Sequence, residues 1–257
     1  MTNTATSVPA SDAVNLKALL LGGTVCLDPK EQLVAKILGA NSQPEIIQIR
    51  RQVFSGLNDR EFFYDESDEE LFVTNLLGPR SCSIAVVRNE SIVACTSLAT
   101  PNSFDDLDIY GMTQFLQPFG EATDVAYVSA TMVLPEFRGR GLQLKLAGIR
   151  YNLGLLLGRQ QHFATVALGN YASWRNSMAM GHVVRQILHV EDRKYGRLTR
   201  YLMHRGMKSR RMGAEIQWVN PKDDVRQIKL IAQGFVGSKF GRFEDLVHMG
   251  YQEEIGA

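Results

Sequence analysis

The alternation of apolar and polar positions divides this chain into short elements. From Pro44 to Ser55 (PEIIQIRRQVFS), Ile46, Ile47, Ile49, Val53 and Phe54 gather near one helical face, which predicts a helix. DEELFVTNLLG, ending at Gly78, predicts a second, shorter one. Two β-rich runs follow, Ser83 to Val87 and Ser91 to Ala99, and the polar Arg88-Asn89-Glu90 between them marks a hairpin. Asp124 to Leu134 (DVAYVSATMVL) reads as a strand, and Leu142 to Gly158 carries Leu142, Leu146, Ile149, Leu153 and Leu157 at helical spacing. His162 to Leu168 predicts a buried strand. In NYASWRNSMAMGH, Asn170 and Ser173 stand where capping residues stand, and Gly181 closes a short helix. VVRQILHV and RLTRYLMH are two more strands, so helices and largely antiparallel strands share one α+β domain.

The connections and ends add less regular material. REFFYDESDEE, between the first two helices, is acidic and aromatic; it reads as a solvated loop or as one wall of a site for a cation. Thr100 to Thr123 is a long connection broken by Pro101, Gly111, Pro118 and Gly120, with Asp105, Asp106 and Asp108 as a second acidic cluster. Residues 1–44 form an N-terminal segment, partly disordered: MTNTATSVPASD is small and polar, and LKALLLGGTVCL is broken by glycines and too short to span a bilayer. The main domain is expected over 45–204. Residues 205–257, with a strand at GAEIQWVN, an amphipathic helix at DDVRQIKLIAQGF and a closing DLVHMGYQ, form an extension packed on the same domain, being too few to bury a core alone.

Composition narrows the function. With 257 residues, 45% of them hydrophobic, the chain has enough apolar material for a core, and a formal net charge of +1 gives no general field for nucleic acid or an anionic membrane. Three cysteines without a CxxC pair argue against a disulfide framework and for a reducing, cytoplasmic setting. The five histidines show no metal-ligand spacing, so no metal is expected.

The chemistry concentrates in VLPEFRGRGLQLKL, Val133 to Leu146, where Arg138, Gly139, Arg140 and Gly141 separate a strand from a helix. A helix N-terminus offers unpaired amides and about half a positive charge, so it stabilises a phosphate that can come close. Gly139 and Gly141 permit that approach and the arginines add charge. The Gly-Lys-Ser/Thr ending of a P-loop is absent, and a dinucleotide-binding turn would need a glycine where Leu144 stands.

The stretch resembles motif A of the GNAT superfamily of N-acetyltransferases, Gln/Arg-x-x-Gly-x-Gly/Ala preceded by Val-x-Pro: Arg138, Gly141, Val133 and Pro135 match, and Gln143 replaces the last small residue. A second family pattern, Asn-x-x-Ala/Ser followed by Gly-Phe, is matched in spacing by Asn170, Ser173, Gly181 and His182. The resemblance covers roughly Glu45 to His204. The resemblance implies a central mixed, mostly antiparallel twisted sheet flanked by helices, with splayed fourth and fifth strands. It implies acetyl-CoA as acyl donor, contacted by Met132, Val133, Arg138, Gly139, Arg140, Gly141, Leu142, Gln143, Asn170 and Ser173.

The implied reaction is direct attack of a small-molecule or protein amine on the acetyl thioester. It needs a base and an acid. The family's acid is often a tyrosine, and that position here is Ser177, leaving Ser177 as a relay, Tyr171 as a substitute, or no acid at all. The family's base often comes from the fourth strand, where Asp124, Tyr127 and Ser129 are the available polar residues, with Glu121 just before. The extension would cover the acceptor side or form a subunit contact, as in a homodimer. Two alternatives stay open: a GNAT-fold protein that binds acyl-CoA without transferring it, and transfer of a longer acyl group.

Overall fold

A computed structural model describes residues 16–57, 69–192, 196–207 and 210–255. The fold is α+β, a mixed sheet flanked by helices. The chain forms two compact units, one of the described residues up to His162 and one from Phe163 onward. No helix among the described residues is long and apolar enough to cross a membrane.

In the first unit, five strands pair antiparallel in sequence order: β1 (Thr24–Asp28), β2 (Leu33–Ile37), β3 (Ser81–Arg88), β4 (Ser91–Ala99) and β5 (Val125–Val133). Asn89 and Glu90, with φ of 47° and 67°, turn the predicted hairpin between β3 and β4 in the left-handed conformation that matches strand twist. Helix α1 (Gln43–Ser55) buries Ile46, Ile49 and Val53 as its periodicity predicts, with Arg50 beside them. Helix α2 (Glu69–Leu77) packs on β3, and Glu69 ties it to α1 by receiving Arg50 at 3.2 Å and Arg51 at 2.5 Å. Helix α3 (Leu142–Leu156) buries Leu142, Leu146 and Leu153, while Ile149 is only half-buried and Leu157 falls outside the helix at 41% exposure.

β6 (Gln161–Ala167) carries the chain from the first unit into the second. There follow α4 (Tyr171–Ala179), β7 (Val183–Asp192), β8 (Gly196–Arg205), β9 (Gln217–Val219), α5 (Asp224–Ala232), β10 (Phe235–Phe243) and β11 (Leu246–Glu253). The strand order is β6-β8-β7-β10-β11-β9. The stretch read as a C-terminal extension therefore adds three strands beyond β7, joined to it where Gly237 faces Val184.

Three strands were not visible in the pattern. β1 and β2 lie in the N-terminal segment 1–44, expected to be partly disordered, yet Val34 pairs with Val87 and Ile37 with Ile84 at the edge of the sheet. β10 has no clean alternation because Gly237 and Gly241 stand close against neighbouring side chains: a Cβ on Gly237 would meet Val184 at 2.9 Å, and one on Gly241 would meet the Trp218 ring at 2.6 Å. Helix α5 does form, but Val225 is 75% exposed while Gln227 is fully buried.

Gln227 explains that orientation. Its Oε1 accepts the hydroxyls of Tyr201 at 2.7 Å and Tyr251 at 2.9 Å, and its Nε2 donates to Pro221 O at 2.9 Å. Both phenols are pushed above their ordinary range by burial, so they stay protonated donors that need an acceptor. With Trp174, Met203 and Met249 they form the core of the second unit. Gln227→Leu strands two buried hydroxyls and is expected to cost about 2–4 kcal/mol in urea unfolding. Adding Tyr201→Phe and Tyr251→Phe to it should recover most of that loss, since removing both sides of a buried hydrogen bond is far milder than removing one.

Candidate functional site

The loop after β5 is built from the backbone outward. Leu134 N donates to Val93 O at 3.0 Å, which carries the end of β5 along β4. Pro135–Phe137 then makes one tight turn closed by Phe137 N to Leu134 O and Arg138 N to Pro135 O, with the Phe137 ring buried beneath it. Gly139 and Gly141 follow at φ of 76° and 72°, the left-handed region, and among the described residues no atom beyond the chain neighbours lies within 4 Å of where a Cβ would stand on either. The glycines are thus required by backbone conformation and leave the approach to the backbone open. Gly141 is the N-cap of α3 and supplies no side-chain cap; the helical ladder begins with Lys145 N to Gly141 O at 3.0 Å. The amides ahead of it have no rung of their own in the helix. An open, glycine-lined helix head fits a pyrophosphate.

The two arginines of the loop are both engaged elsewhere. Arg138 donates from Nε to Val133 O at 3.3 Å and from NH1 to Gly56 O at 3.4 Å. Arg140 donates to Glu31 at 3.0 Å and to Glu136 O at 3.4 Å, with its guanidinium 5.0 Å from the Phe137 ring centre. Of the other predicted contact residues in this unit, Met132 pairs with Cys95 and Val133 with Ala94 along β4, Leu142 is buried and Gln143 is half-buried. Tyr127 is buried on β5 opposite Ala99. Asp124 ends a short turn before β5, Glu121 is exposed, and the Ser129 hydroxyl is buried without a hydrogen-bond partner among the described residues.

In the second unit, Asn170 caps α4: its Oδ1 accepts Ser173 N at 3.1 Å. Ser177 donates its hydroxyl to Ser173 O at 3.1 Å. Both the backbone amide and Nδ1 of the buried His182 lie 3.1 Å from Ser177 O, so Nδ1 carries the proton in that bond. Tyr171 is half-buried and packs edge-on against Trp174. The spacing of the second motif is thus the spacing of a helix with its two caps.

The acidic clusters resolve differently. Asp106 accepts Asn102 N at 2.8 Å and Ser103 N at 3.2 Å and pairs with Arg80 at 3.5 Å. Those backbone hydrogen bonds hold its carboxyl below the ordinary range. Asp108 accepts the Thr113 hydroxyl at 2.5 Å. These carboxylates fold the connection after β4. In the first cluster, residues 65–68 lie outside the described residues, and Glu69 is the clamp between α1 and α2.

Two arginines central to this architecture carried no motif. Arg159 donates to Pro101 O at 2.6 Å and Thr123 O at 2.7 Å, holding both ends of the long connection. Arg150, on the buried face of α3, reaches Thr131 Oγ1 at 2.8 Å and also Thr96 Oγ1, bridging β4 and β5. Desolvation pushes it down to about 10, which leaves it charged at neutral pH. The signal for it was an arginine inside an apolar helical stripe, between Ile149 and Tyr151. Among the described residues no group of three or more His, Cys, Asp or Glu is placed to hold a metal.

No protein-family model matches the chain, and no curated protein matches it in sequence. Its fold does match solved structures. A GCN5-related N-acetyltransferase from Kribbella flavida aligns at TM-score 0.50 and 18% identity, covering 70% of this chain and 99% of the other. Drosophila melanogaster polyamine N-acetyltransferase, which catalyses the formation of N-acetylagmatine, aligns at TM-score 0.52 and 13% identity, with 68% and 99% covered. Arabidopsis thaliana NAA60, in complex with acetyl-CoA, aligns at TM-score 0.51 and 16% identity, with 69% and 99% covered. The chain has the GNAT fold, as its loop after β5 implies.

Arg150 yields a test of how α3 is held. Burying a guanidinium costs solvation, while the two threonine hydroxyls keep another acceptor in Ala130 O. Arg150→Met is therefore expected to stay within about 1 kcal/mol of the parent. Arg150→Lys, whose shorter side chain must bury a more strongly hydrated ammonium, is expected to lose about 2–4 kcal/mol. Urea unfolding of the two variants decides it, and the reverse order would sink this account.

Proposed function

We propose that the protein is an acetyl-CoA-dependent N-acetyltransferase whose acceptor is a small-molecule or protein amine. The observation that carries this is the pair of left-handed, open glycines at the head of α3, directly after β5, in a chain with the GNAT fold. In this reading the amides from Gly139 to Gln143 receive the pyrophosphate, with the helix dipole and the charges of Arg138 and Arg140 behind them. Met132, Val133, Asn170 and Ser173 are proposed as further coenzyme contacts. For Asn170 this is a role beyond its cap, because its Oδ1 is already taken by Ser173 N.

The bound coenzyme supplies an acetyl thioester. The amine nitrogen attacks the carbonyl carbon, the N–C bond forms as the C–S bond breaks, nitrogen gives up a proton and the departing sulfur gains one. The first proton is proposed to leave through water on the β5 side, where Asp124, Tyr127 and Ser129 are the polar residues, and Tyr171 is proposed to supply the second. Ser177 would have to give up its bond to Ser173 O to take part. That engaged serine also favours the second reading, a GNAT-fold protein that binds acyl-CoA and does not transfer it.

Release of free thiol from acetyl-CoA in the presence of a broad panel of amines separates the two readings. Turnover with some amine is expected, with Tyr171→Phe lowering kcat more than Ser177→Ala. Tight coenzyme binding with no turnover across the panel would leave only the binding reading. The cradle has its own test by calorimetry: Gly141→Val, which puts a branched side chain on a left-handed backbone at the open helix head, should weaken coenzyme A by about ten-fold or more.

A further inference from the structure

Arg140 does not face its helix alone. Glu31, in the turn between β1 and β2, accepts Arg140 NH1 at 3.0 Å, and the same Oε2 stands 3.4 Å from Arg88 NH2 at the end of β3. Both guanidinium groups lie over the Phe137 ring, at 5.0 Å and 5.8 Å from its centre. Glu31 is held there by its own turn, in which Asp28 Oδ1 accepts Lys30 N at 3.0 Å and Glu31 N at 3.2 Å. The three side chains are about two-fifths exposed, at 39%, 41% and 42% for Arg88, Glu31 and Arg140. Arg88 has no other polar partner among the described residues.

One singly charged oxygen shared by two guanidinium groups on an aromatic face leaves one positive charge unmatched. A phosphate monoester, with close to two negative charges and three oxygens, satisfies both arginines better than the carboxylate does. We propose that Arg88 and Arg140 form a second phosphate site beside the coenzyme loop, taking the ribose 3′-phosphate of coenzyme A. Glu31 is the internal anion that holds this pair until the phosphate displaces it. The proposal rests on the coenzyme reading above and extends it to Arg88 and Glu31, on β3 and the N-terminal hairpin, outside both sequence motifs. The amides of the loop remain for the pyrophosphate, while the Arg140 guanidinium is held by Glu31 and Glu136 O.

Calorimetric titration of the full chain with coenzyme A and with dephospho-coenzyme A tests it. The parent should prefer coenzyme A. Arg88→Gln is expected to weaken coenzyme A by about ten-fold and dephospho-coenzyme A by less than two-fold, with Arg88→Lys recovering part of the loss. Glu31→Gln is expected to tighten coenzyme A by about three-fold and leave dephospho-coenzyme A unchanged, because a surface ion pair of this kind opposes the ligand only weakly. A merely structural tie between hairpin and loop cannot produce that gain. Equal effects on both ligands, no effect of Arg88→Gln, or weaker coenzyme binding by Glu31→Gln would each overturn the proposal while leaving the coenzyme reading intact. A parent chain that binds neither ligand removes both.

Discussion

The position of α3 rests on one buried cation. Arg150 lies on the face of that helix against the sheet, 7% exposed, and its guanidinium joins the hydroxyls of Thr96 on β4 and Thr131 on β5. Those threonines face each other in the register of the two strands, so one side chain fixes the helix to a defined place on both. Apolar packing by Leu142, Leu146 and Leu153 presses the helix onto the sheet, but such contacts are non-directional and tolerate sliding. Two hydrogen bonds from one guanidinium nitrogen, each to a different strand, do not. A helix that slid along its axis would carry Gly141 with it.

The loop at its head uses the opposite strategy. Phe137 anchors the turn below, and above it the backbone passes twice through the left-handed region with nothing packed against it. Rigidity comes from the ends, where β5 is paired to β4 and α3 is pinned by Arg150. Openness comes from the glycines between. Side chains that could crowd the helix head are drawn off to carbonyls and to Glu31. Local charge is thereby stored beside the loop, not on it.

Much of this was legible in the sequence, for reasons that differ by element. β4 begins at Ser91 and ends at Ala99 as its run of apolar and β-branched residues predicts, and α1 starts one residue earlier than Pro44 and ends at Ser55. Both are elements whose local pattern and tertiary burial agree. β10 was hidden because packing demanded glycines at Gly237 and Gly241, which erase the alternation that marks a strand. α5 misled in its facing, since Gln227 is inward for its hydrogen bonds and Val225 is outward. Arg159, Arg88 and Glu31 were silent for a common reason: each acts on a residue far along the chain, and no short spacing encodes such a pairing.

The proposed reaction was less legible than the proposed cradle, for a physical reason. A phosphate cradle is made from backbone amides, so its signature is where glycine must stand, and sequence records that directly. Proton transfer depends on which hydroxyls remain available, and that is decided by local hydrogen bonds. Ser177, at the position a motif would assign to the acid, donates to a carbonyl one helical turn back, a habit of serines in helices that has nothing to do with chemistry. Asn170 likewise meets the motif and the needs of a helix cap with one oxygen. In α4 the motif and the capping grammar coincide residue by residue, so the match there carries less weight than the match after β5. At Gly139 and Gly141 the left-handed backbone calls for glycine, and no neighbouring side chain packs where a Cβ would stand.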